Sequence, residues 1–195
     1  MSIYNHLLTV IGKRGAAYLI LIDPDKLHED KLAAFTAQCE AAGVDGFLIG
    51  GSLLIHDNVE GYVRKLKELT GIPVIIFPGA INQVVKTADA LLYISIISGR
   101  NAEHLIGKHV IAAPLIKMSG IEPISCGYML IESGVRTTAE YISGSMPIPR
   151  RKPEIAAATA LAAEYMGMKL VYLEAGSGAD NHVPFEMVQM VSKMI

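Results

Sequence analysis

Short apolar runs alternate with longer amphipathic stretches along the whole chain. The apolar runs are nearly continuous in Leu, Ile and Val, which is typical of strands buried on both faces of a parallel sheet. An antiparallel sheet with one exposed face would instead alternate apolar and polar residues. The pattern therefore predicts an α/β fold whose strands are residues 17–22, 46–49, 74–77, 90–94, 128–131 and 170–173.

Helices are predicted between these strands from apolar residues at helical spacing. The clearest helix lies between the second and third strands, where Asp57 and Glu60 are placed like a capping box and Gly71 like a stop signal. Residues 102–122 show a less regular pattern. Further helices are predicted at residues 29–42, 153–166 and 184–194. The last of these carries a stripe predicted to be core or an oligomer interface: Phe185, Val188, Val191 and Met194.

Composition and charge narrow the class of protein. Hydrophobic residues make up 51% of the chain and charged residues 18%, which excludes disorder and a coiled coil. The longest apolar stretches fall far below the ~18–20 residues of a transmembrane helix, so we expect no such segment. A net charge of -2 argues against a nucleic-acid partner. Cys39 and Cys126 lie in unrelated contexts, so neither a disulfide nor a zinc site is indicated. No signal peptide is evident. We expect one cytoplasmic domain over residues 1–195.

Polar residues cluster directly after the predicted strands, at the edge where parallel α/β sheets bind ligands. Asp23 ends the first strand beside a proline, and a carboxylate in a rigid loop suits Mg²⁺. Asp23 or Asp25 is also typical of a turn or a helix cap, and both interpretations stay open. After the second strand, Gly50 and Gly51 allow close approach of a ligand and Ser52 offers a hydroxyl, although a plain turn is equally common.

The last predicted strand runs from Tyr172 through Glu174 into a glycine-rich turn. Backbone N–H groups freed by Gly176 and Gly178, with the hydroxyl of Ser177, suit a phosphate, and Glu174 suits a substrate hydroxyl. A structural βα loop is the alternative.

Other polar residues are weaker candidates. The histidines lack metal-ligand spacing and are interpreted as surface or hydrogen-bonded residues: His6, His28, His56, His104, His109 and His182. A second group would either clamp a diphosphate or be only solvated: Arg100, Arg150, Arg151 and Lys152.

Several segments, in this order, resemble the geranylgeranylglyceryl phosphate synthase family and its bacterial PcrB-like relatives. The most specific is YLEAGSGA at residues 172–179, preceded by ALAAEY at 160–165. Leu21 stands where the PcrB group carries a phosphate-binding lysine, so the long-form second group is the better match. The other matching segments are LIDPDK (21–26), IGGS (49–52), IFPG (76–79), SGRN (98–101), LIG (105–107) and GYMLI (127–131).

The resemblance implies a TIM (β/α)8-barrel prenyltransferase. With Mg²⁺ as cofactor it would join sn-glycerol 1-phosphate to geranylgeranyl diphosphate, or to another polyprenyl diphosphate, and release diphosphate. By motif position Asp23 and Ser52 would bind the metal, and Glu174 and Asp23 would be catalytic. A homo-oligomer is also expected. Substrate-binding residues would be Tyr172, Leu173, Glu174, Ala175, Gly176, Ser177 and Gly178.

The predicted strands number six, whereas the family's barrel continues with phosphate-binding loops after a seventh and an eighth. About 250 residues is usual for this barrel. We therefore expect the last two βα units to be absent from this chain, with the first and sixth strands as unpaired edges. Two other functions remain open: a phosphate-binding barrel enzyme acting on a small sugar phosphate, and a non-catalytic, oligomer-forming remnant.

Overall fold

The computed structural model describes residues 2–51, 58–81 and 83–195. Strands and helices alternate through these ranges. The strands are β1 (Leu19–Ile22), β2 (Gly46–Ile49), β3 (Val74–Ile76), β4 (Ala90–Ile96), β5 (Glu122–Leu130) and β6 (Leu170–Glu174). The α-helices are α1 (Ile3–Arg14), α2 (Leu32–Ala41), α3 (Val59–Leu69), α4 (Lys108–Ser119), α5 (Thr138–Ser143), α6 (Pro153–Tyr165) and α7 (Phe185–Met194). A 3₁₀ turn at Glu29–Lys31 precedes α2, and a π-helical turn at Glu103–Gly107 precedes α4.

The six strands form one sheet in sequential order, β1-β2-β3-β4-β5-β6. The neighbour pairs β1–β2, β2–β3, β3–β4 and β5–β6 are all parallel. Sequential order without a reversal is the winding of a barrel, whereas a doubly wound sheet reverses at a switch point. The predicted α/β class and its barrel-type βα units are therefore confirmed. The single domain and the extent of the barrel beyond β6 stay predictions.

The chain divides into two compact units, and the first comprises Met1–Leu92 and Ala112–Ile124. Its core forms where the fully buried strands β2 and β3 meet the apolar face of α3. Val63 and Leu66 of that helix are completely buried, as is Phe47 of β2. The N-terminus of α1 in the same unit is capped from far along the chain, because the Glu122 carboxylate accepts the backbone N–H groups of Ile3 and Tyr4.

The second unit comprises Tyr93–Ile111 and Ser125–Ile195. Helices α6 and α7 pack on β5 and β6 around one hydrophobic cluster. Small side chains on α6 allow this close packing, because alanine brings the helix backbone near its neighbours. The buried members of the cluster are Met129, Ile131, Ile148, Ala156, Ala157, Ala160, Met187 and Val191.

Five of the six predicted strands differ from the structure in extent, and β5 differs most. Strand β5 begins at Glu122, six residues before the predicted start at Tyr128. Pro123, Ser125 and Gly127 interrupt the apolar run there, so the sequence signal is lost although Ile124 and Cys126 are buried. Strand β4 extends to Ile96, two residues beyond its predicted end at residue 94. Helices α1 and α5 were not predicted.

The termini of α3 also differ from the prediction. Asp57, the predicted cap, lies outside the described residues. Asn58 is the N-cap, and its Oδ1 accepts the N–H of Gly61 at 3.1 Å. At the other end Thr70 is the C-cap and Gly71 follows it directly, at the position of the predicted stop, although Gly71 is not left-handed. The helix ends at Leu69 because Thr70 adopts an extended conformation, with φ −152°.

The predicted apolar stripe on α7 is corrected as well. Met187 and Val191, one turn apart, are the buried residues of this helix, with exposures of 0% and 3%. Phe185 is 79% exposed, and Val188 and Met194 are also exposed. The helix turns a different face to the core because α6 packs against the Met187 side. An interface role for the exposed members stays a prediction.

Candidate functional site

Asp23 follows β1 directly, and its carboxylate closes a tight turn in the first unit. Its Oδ1 accepts the N–H of Asp25 at 3.0 Å, and its backbone carbonyl accepts the N–H groups of Lys26 and Leu27. The side chain is only 21% exposed, and Lys26 Nζ lies 3.3 Å from Oδ2. The turn role left open by the sequence is therefore observed.

Tyr62 lies near the carboxylates of Asp23 and Glu29. Its hydroxyl donates to the Leu27 carbonyl at 2.9 Å. Burial, followed by the charges of Glu29 and Asp23, raises the pKa of Tyr62 to about 12. Each of these carboxylates also faces a lysine, because Lys26 Nζ lies 3.3 Å from Asp23 and Lys65 Nζ lies 3.0 Å from Glu29.

The donor chemistry at Asp23 fits Mg²⁺. In proteins this ion is usually bound through one or two carboxylates, with water and substrate phosphates completing the shell. The Lys26 side chain is 70% exposed, so its ion pair with Asp23 is weak and easily exchanged. Within the described part of the chain, no cluster of three or more His, Cys, Asp and Glu side chains forms a metal cage. Asp23 could therefore contribute one carboxylate to a Mg²⁺ shell completed by water and substrate phosphates.

Gly50 is required by the packing of two neighbouring strands. A Cβ there would collide with the backbone carbonyl oxygen of Phe77, while the Gly50 N–H donates to the Ile22 carbonyl at 3.1 Å. The structural reason for this glycine is therefore the close approach of the chain after β3. The predicted metal ligand Ser52 lies outside the described residues, so its role stays a prediction.

Successive side chains of strand β6, in the second unit, point to opposite faces of the sheet. Val171 and Leu173 pack against the hydrophobic cluster between α6 and α7. Tyr172 and Glu174 project from the other face of the strand. Of the predicted substrate-binding residues, Leu173 can therefore meet a ligand only through its backbone, whereas Tyr172 and Glu174 are brought together.

Glu174 is a partly buried carboxylate held by two donors. The N–H of Gly176 donates to Oε1 at 2.6 Å, and the Tyr172 hydroxyl donates to the same carboxylate. Burial raises the pKa of Glu174, while these two hydrogen bonds oppose the rise because they favour the charged form. The result is a fixed carboxylate with an increased affinity for a proton, which is what a general base requires.

The turn after Glu174 needs glycine for a steric reason. Gly176 has φ +103°, and a Cβ there would collide with the side chain of Thr137. Thr137 is buried and caps α5 by accepting the N–H of Glu140 at 3.3 Å. Ser177 and Gly178 beyond it are exposed, and Gly178 has φ +78°. The turn is thus anchored at Gly176 and accessible at its tip, as a phosphate-binding loop must be.

Tyr128 is a site residue that the sequence prediction missed. It lies on β5 directly opposite Tyr172 in the strand register. The two rings are stacked, with centroids 5.7 Å apart and planes 5° from parallel. Burial and the charge of Glu174 raise the pKa of Tyr128, so its hydroxyl remains protonated. Only a known register for β5 and β6 would have revealed this pair.

The basic residues are engaged locally. The Arg100 guanidinium donates to the Gly99 carbonyl at 2.7 Å, and that of Arg150 donates to the His182 carbonyl. Lys152 forms an exposed ion pair with Glu154. Arg151 is exposed, and a diphosphate clamp formed by these residues stays a prediction.

His109 is a buried, hydrogen-bonded residue, as the sequence predicts. Its Nε2 lies 3.0 Å from Ser95 Oγ, and its ring meets Tyr93 edge-on at 4.6 Å. Burial lowers the pKa of His109, so the neutral ring is favoured. His182 Nδ1 lies 2.7 Å from the Val183 carbonyl, and His56 lies outside the described residues.

Comparison with known proteins places these features in one family. The chain matches the sequence profile of the PcrB family over residues 9–195. It is 47% identical over 194 residues to the geranylgeranylglyceryl phosphate synthase of Chitinophaga pinensis, covering 100% of this chain and 77% of the relative. The enzyme of the same name from Methanosphaera stadtmanae is 41% identical and is covered to 79%.

A solved structure is similar over the same extent. It is the (S)-3-O-geranylgeranylglyceryl phosphate synthase of Thermoplasma acidophilum in complex with the substrate sn-glycerol-1-phosphate. The TM-score is 0.91 at 31% identity, and the match covers 100% of this chain and 78% of that one. Among the described residues, no helix is long and apolar enough to cross a membrane.

Proposed function

This chain belongs to the PcrB family, and we propose that it is a Mg²⁺-dependent prenyltransferase acting on sn-glycerol 1-phosphate and geranylgeranyl diphosphate. The products are geranylgeranylglyceryl phosphate and diphosphate. Support comes from the prenyl-transfer names of the relatives and from the sn-glycerol-1-phosphate bound to the Thermoplasma acidophilum enzyme. The proposal includes a cytoplasmic location and a homo-oligomer.

The observation that carries this proposal is the Glu174 carboxylate at the end of β6. It is fixed by Gly176 and Tyr172 and has a raised proton affinity. In the proposed reaction Glu174 accepts the proton of a glycerol hydroxyl as the hydroxyl oxygen attacks C1 of the allylic diphosphate. A new C–O ether bond forms, the old C–O bond to the diphosphate breaks, and diphosphate leaves with the electron pair.

The phosphate of the glycerol substrate is assigned to the exposed tip of the following turn, at Ser177 and Gly178. This assignment leaves the Gly176 N–H in place on Glu174, so one turn both orients the base and binds the substrate. Asp23, together with Ser52, would hold Mg²⁺. When bound, the ion would neutralise charge on the leaving diphosphate.

The test is direct assay of the purified chain with labelled geranylgeranyl diphosphate and sn-glycerol 1-phosphate, following the prenylated product by mass spectrometry. The enantiomer sn-glycerol 3-phosphate is the matched substrate control, and removal of Mg²⁺ with EDTA followed by its return tests the metal. We expect product from the first enantiomer only, and only with the metal. Lack of product with every prenyl diphosphate tried would reject the proposal, and turnover in EDTA would reject its metal requirement.

A further inference from the structure

Tyr128 and Tyr172 form an aromatic pair, and the proposed chemistry gives no role to Tyr128. They occupy the same register position on β5 and β6, and their rings are nearly parallel at 5.7 Å. Tyr128 is only 6% exposed, whereas Tyr172 is partly exposed. The more deeply buried ring is therefore the fixed one, and it forms a wall against which the Tyr172 ring lies.

Glu174 lies two residues after Tyr172 on the same face of β6, and it accepts the Tyr172 hydroxyl. A tyrosine hydroxyl meets a chosen acceptor only while its ring keeps one orientation. The stacked neighbour restricts that orientation, because parallel aromatic rings have a preferred offset geometry. We propose that Tyr128 is a positioning residue that holds Tyr172 so that its hydroxyl donates to the Glu174 carboxylate. The functional consequence rests on the proposed prenyl transfer, whereas the structural one does not.

The electrostatics of the pair agree with this role. Burial, followed by the charge of Glu174, raises the pKa of Tyr172 to about 12, and the same causes raise the pKa of Tyr128. Both hydroxyls are therefore protonated near neutral pH and available as donors. Among the described residues, Tyr172 on the same strand and Tyr128 on β5 are ionisable side chains that interact with Glu174. Cys126, beside the tyrosines, is a neutral thiol because burial raises its pKa to about 12.

The experiment titrates the Glu174 carboxyl carbon by NMR in the full chain labelled with ¹³C-glutamate. Its resonance is identified as the one lost in Glu174→Gln. We compare wild type with Tyr128→Leu, which removes the ring, Tyr128→Phe, which retains it, and Tyr172→Phe. Tyr141→Leu removes a tyrosine that is 73% exposed in the same unit and serves as the matched control. Tyr128→Met replaces Tyr128→Leu if the latter lacks a cooperative thermal transition.

Loss of the Tyr172 hydrogen bond removes an interaction that favours the charged carboxylate, so the Glu174 pKa rises. We expect Tyr128→Leu to raise it by the same amount as Tyr172→Phe, and the double variant to add nothing further. Tyr128→Phe restores most of the wild-type value. In kinetics, kcat/KM for sn-glycerol 1-phosphate falls by roughly ten- to a hundredfold in Tyr128→Leu, with its acid limb moved to higher pH.

Two results would overturn the inference. One is a Glu174 titration in Tyr128→Leu that matches wild type. The other is a shift in Tyr128→Phe as large as that in Tyr128→Leu, since the hydroxyl rather than the ring would then act on Glu174. A wild-type chain without prenyl transfer, but with the expected NMR shifts, would reject the proposed function and leave the positioning role supported.

Discussion

Replacing Glu174 with Gln removes the proposed base while changing little else. The amide oxygen still accepts the Gly176 N–H that now lies 2.6 Å from Oε1, so the turn is expected to keep its conformation. The amide cannot take a proton from a hydroxyl. Loss of a general base costs about 10²- to 10⁴-fold in rate. We therefore expect kcat/KM for sn-glycerol 1-phosphate to fall within that range, which corresponds to roughly 3–5 kcal/mol of transition-state stabilisation.

Separate measurements on the two substrates distinguish a catalytic role from a structural one. Steady-state kinetics give kcat/KM, and calorimetric titrations give the affinity for each substrate alone. Prenyl diphosphate binding should change by less than about twofold, because the removed charge serves the glycerol substrate. Glu164→Gln, an exposed substitution of the same type on α6, is the control and should match wild type.

The pH dependence gives an independent check. A base must be deprotonated to act, so wild-type kcat/KM falls as the pH decreases through the Glu174 pKa. Since burial raises that pKa, the acid limb lies at higher pH than for an ordinary glutamate. The residual activity of Glu174→Gln should lack this limb. An unchanged limb would assign it to another group, and retained turnover would mean that the hydroxyl is activated elsewhere.

The pH dependence of the melting temperature of Glu174→Gln tests whether burial raises the pKa of Glu174. The raised pKa means that the folded state binds a proton more tightly than the unfolded state, so the contribution of Glu174 to stability declines as pH rises between the two pKa values. Glu174→Gln should therefore melt at a higher temperature than wild type near neutral pH, with the difference shrinking in acid. A lower melting temperature at every pH, with both substrate affinities lost, would make Glu174 a structural residue.

Four further single substitutions test other parts of the structure. Asp23→Asn should lower turnover at least about tenfold and leave the thermal transition unchanged. Ser52→Ala should lower turnover less, because water can replace a neutral ligand. Equal effects of the two substitutions in Mg²⁺ titrations would contradict this order. Gly176→Ala should destabilise the fold by roughly 1–3 kcal/mol in denaturant unfolding, because it combines φ +103° with a collision at Thr137, and adding Thr137→Ser should recover only part of the loss. Met187→Ala should cost about 2–5 kcal/mol in the same assay, whereas the exposed stripe residues of α7 should tolerate alanine.

The parts of the fold that the sequence predicts well are those governed by local burial. Strand β2 matches its predicted bounds because all four residues are buried and the run is bounded by polar residues. The first part of β5 was missed because Pro123 and Gly127 interrupt the apolar run that identifies a strand in the sequence. This part forms a strand through pairing with its neighbours in the sheet, which has no local sequence signal. Helix α1 was missed although its own sequence carries both end signals, because Ser2 caps its N-terminus by accepting the N–H of Asn5 and Gly15 ends it with φ +84°. The contacts of Glu122 with the N–H groups of Ile3 and Tyr4 have no such local signal.

The candidate site likewise contains residues that local sequence predicts and residues that depend on contacts between distant elements. Tyr172 and Glu174 are two residues apart on one strand, so their shared face follows from strand alternation alone. The contribution of Tyr128 depends on the register between β5 and β6, and that of Thr137 depends on how α5 approaches the turn at Gly176. Neither register nor approach has a local sequence signal. The motif therefore predicts the proposed site residues on one strand, but not the residues that contact them from other elements.

Glu174 illustrates why those supporting residues matter to the reaction. Burial raises its pKa, and a carboxyl that already carries a proton cannot take one from a substrate hydroxyl. The Gly176 N–H and the Tyr172 hydroxyl oppose this, because both stabilise the ionised form. The site thus combines burial, which increases the proton affinity of the carboxylate, with two hydrogen-bond donors that favour its charged form. Removing a donor shifts this balance toward protonation without touching the base itself, so mutations at positions that support the donors should appear first in the pH profile.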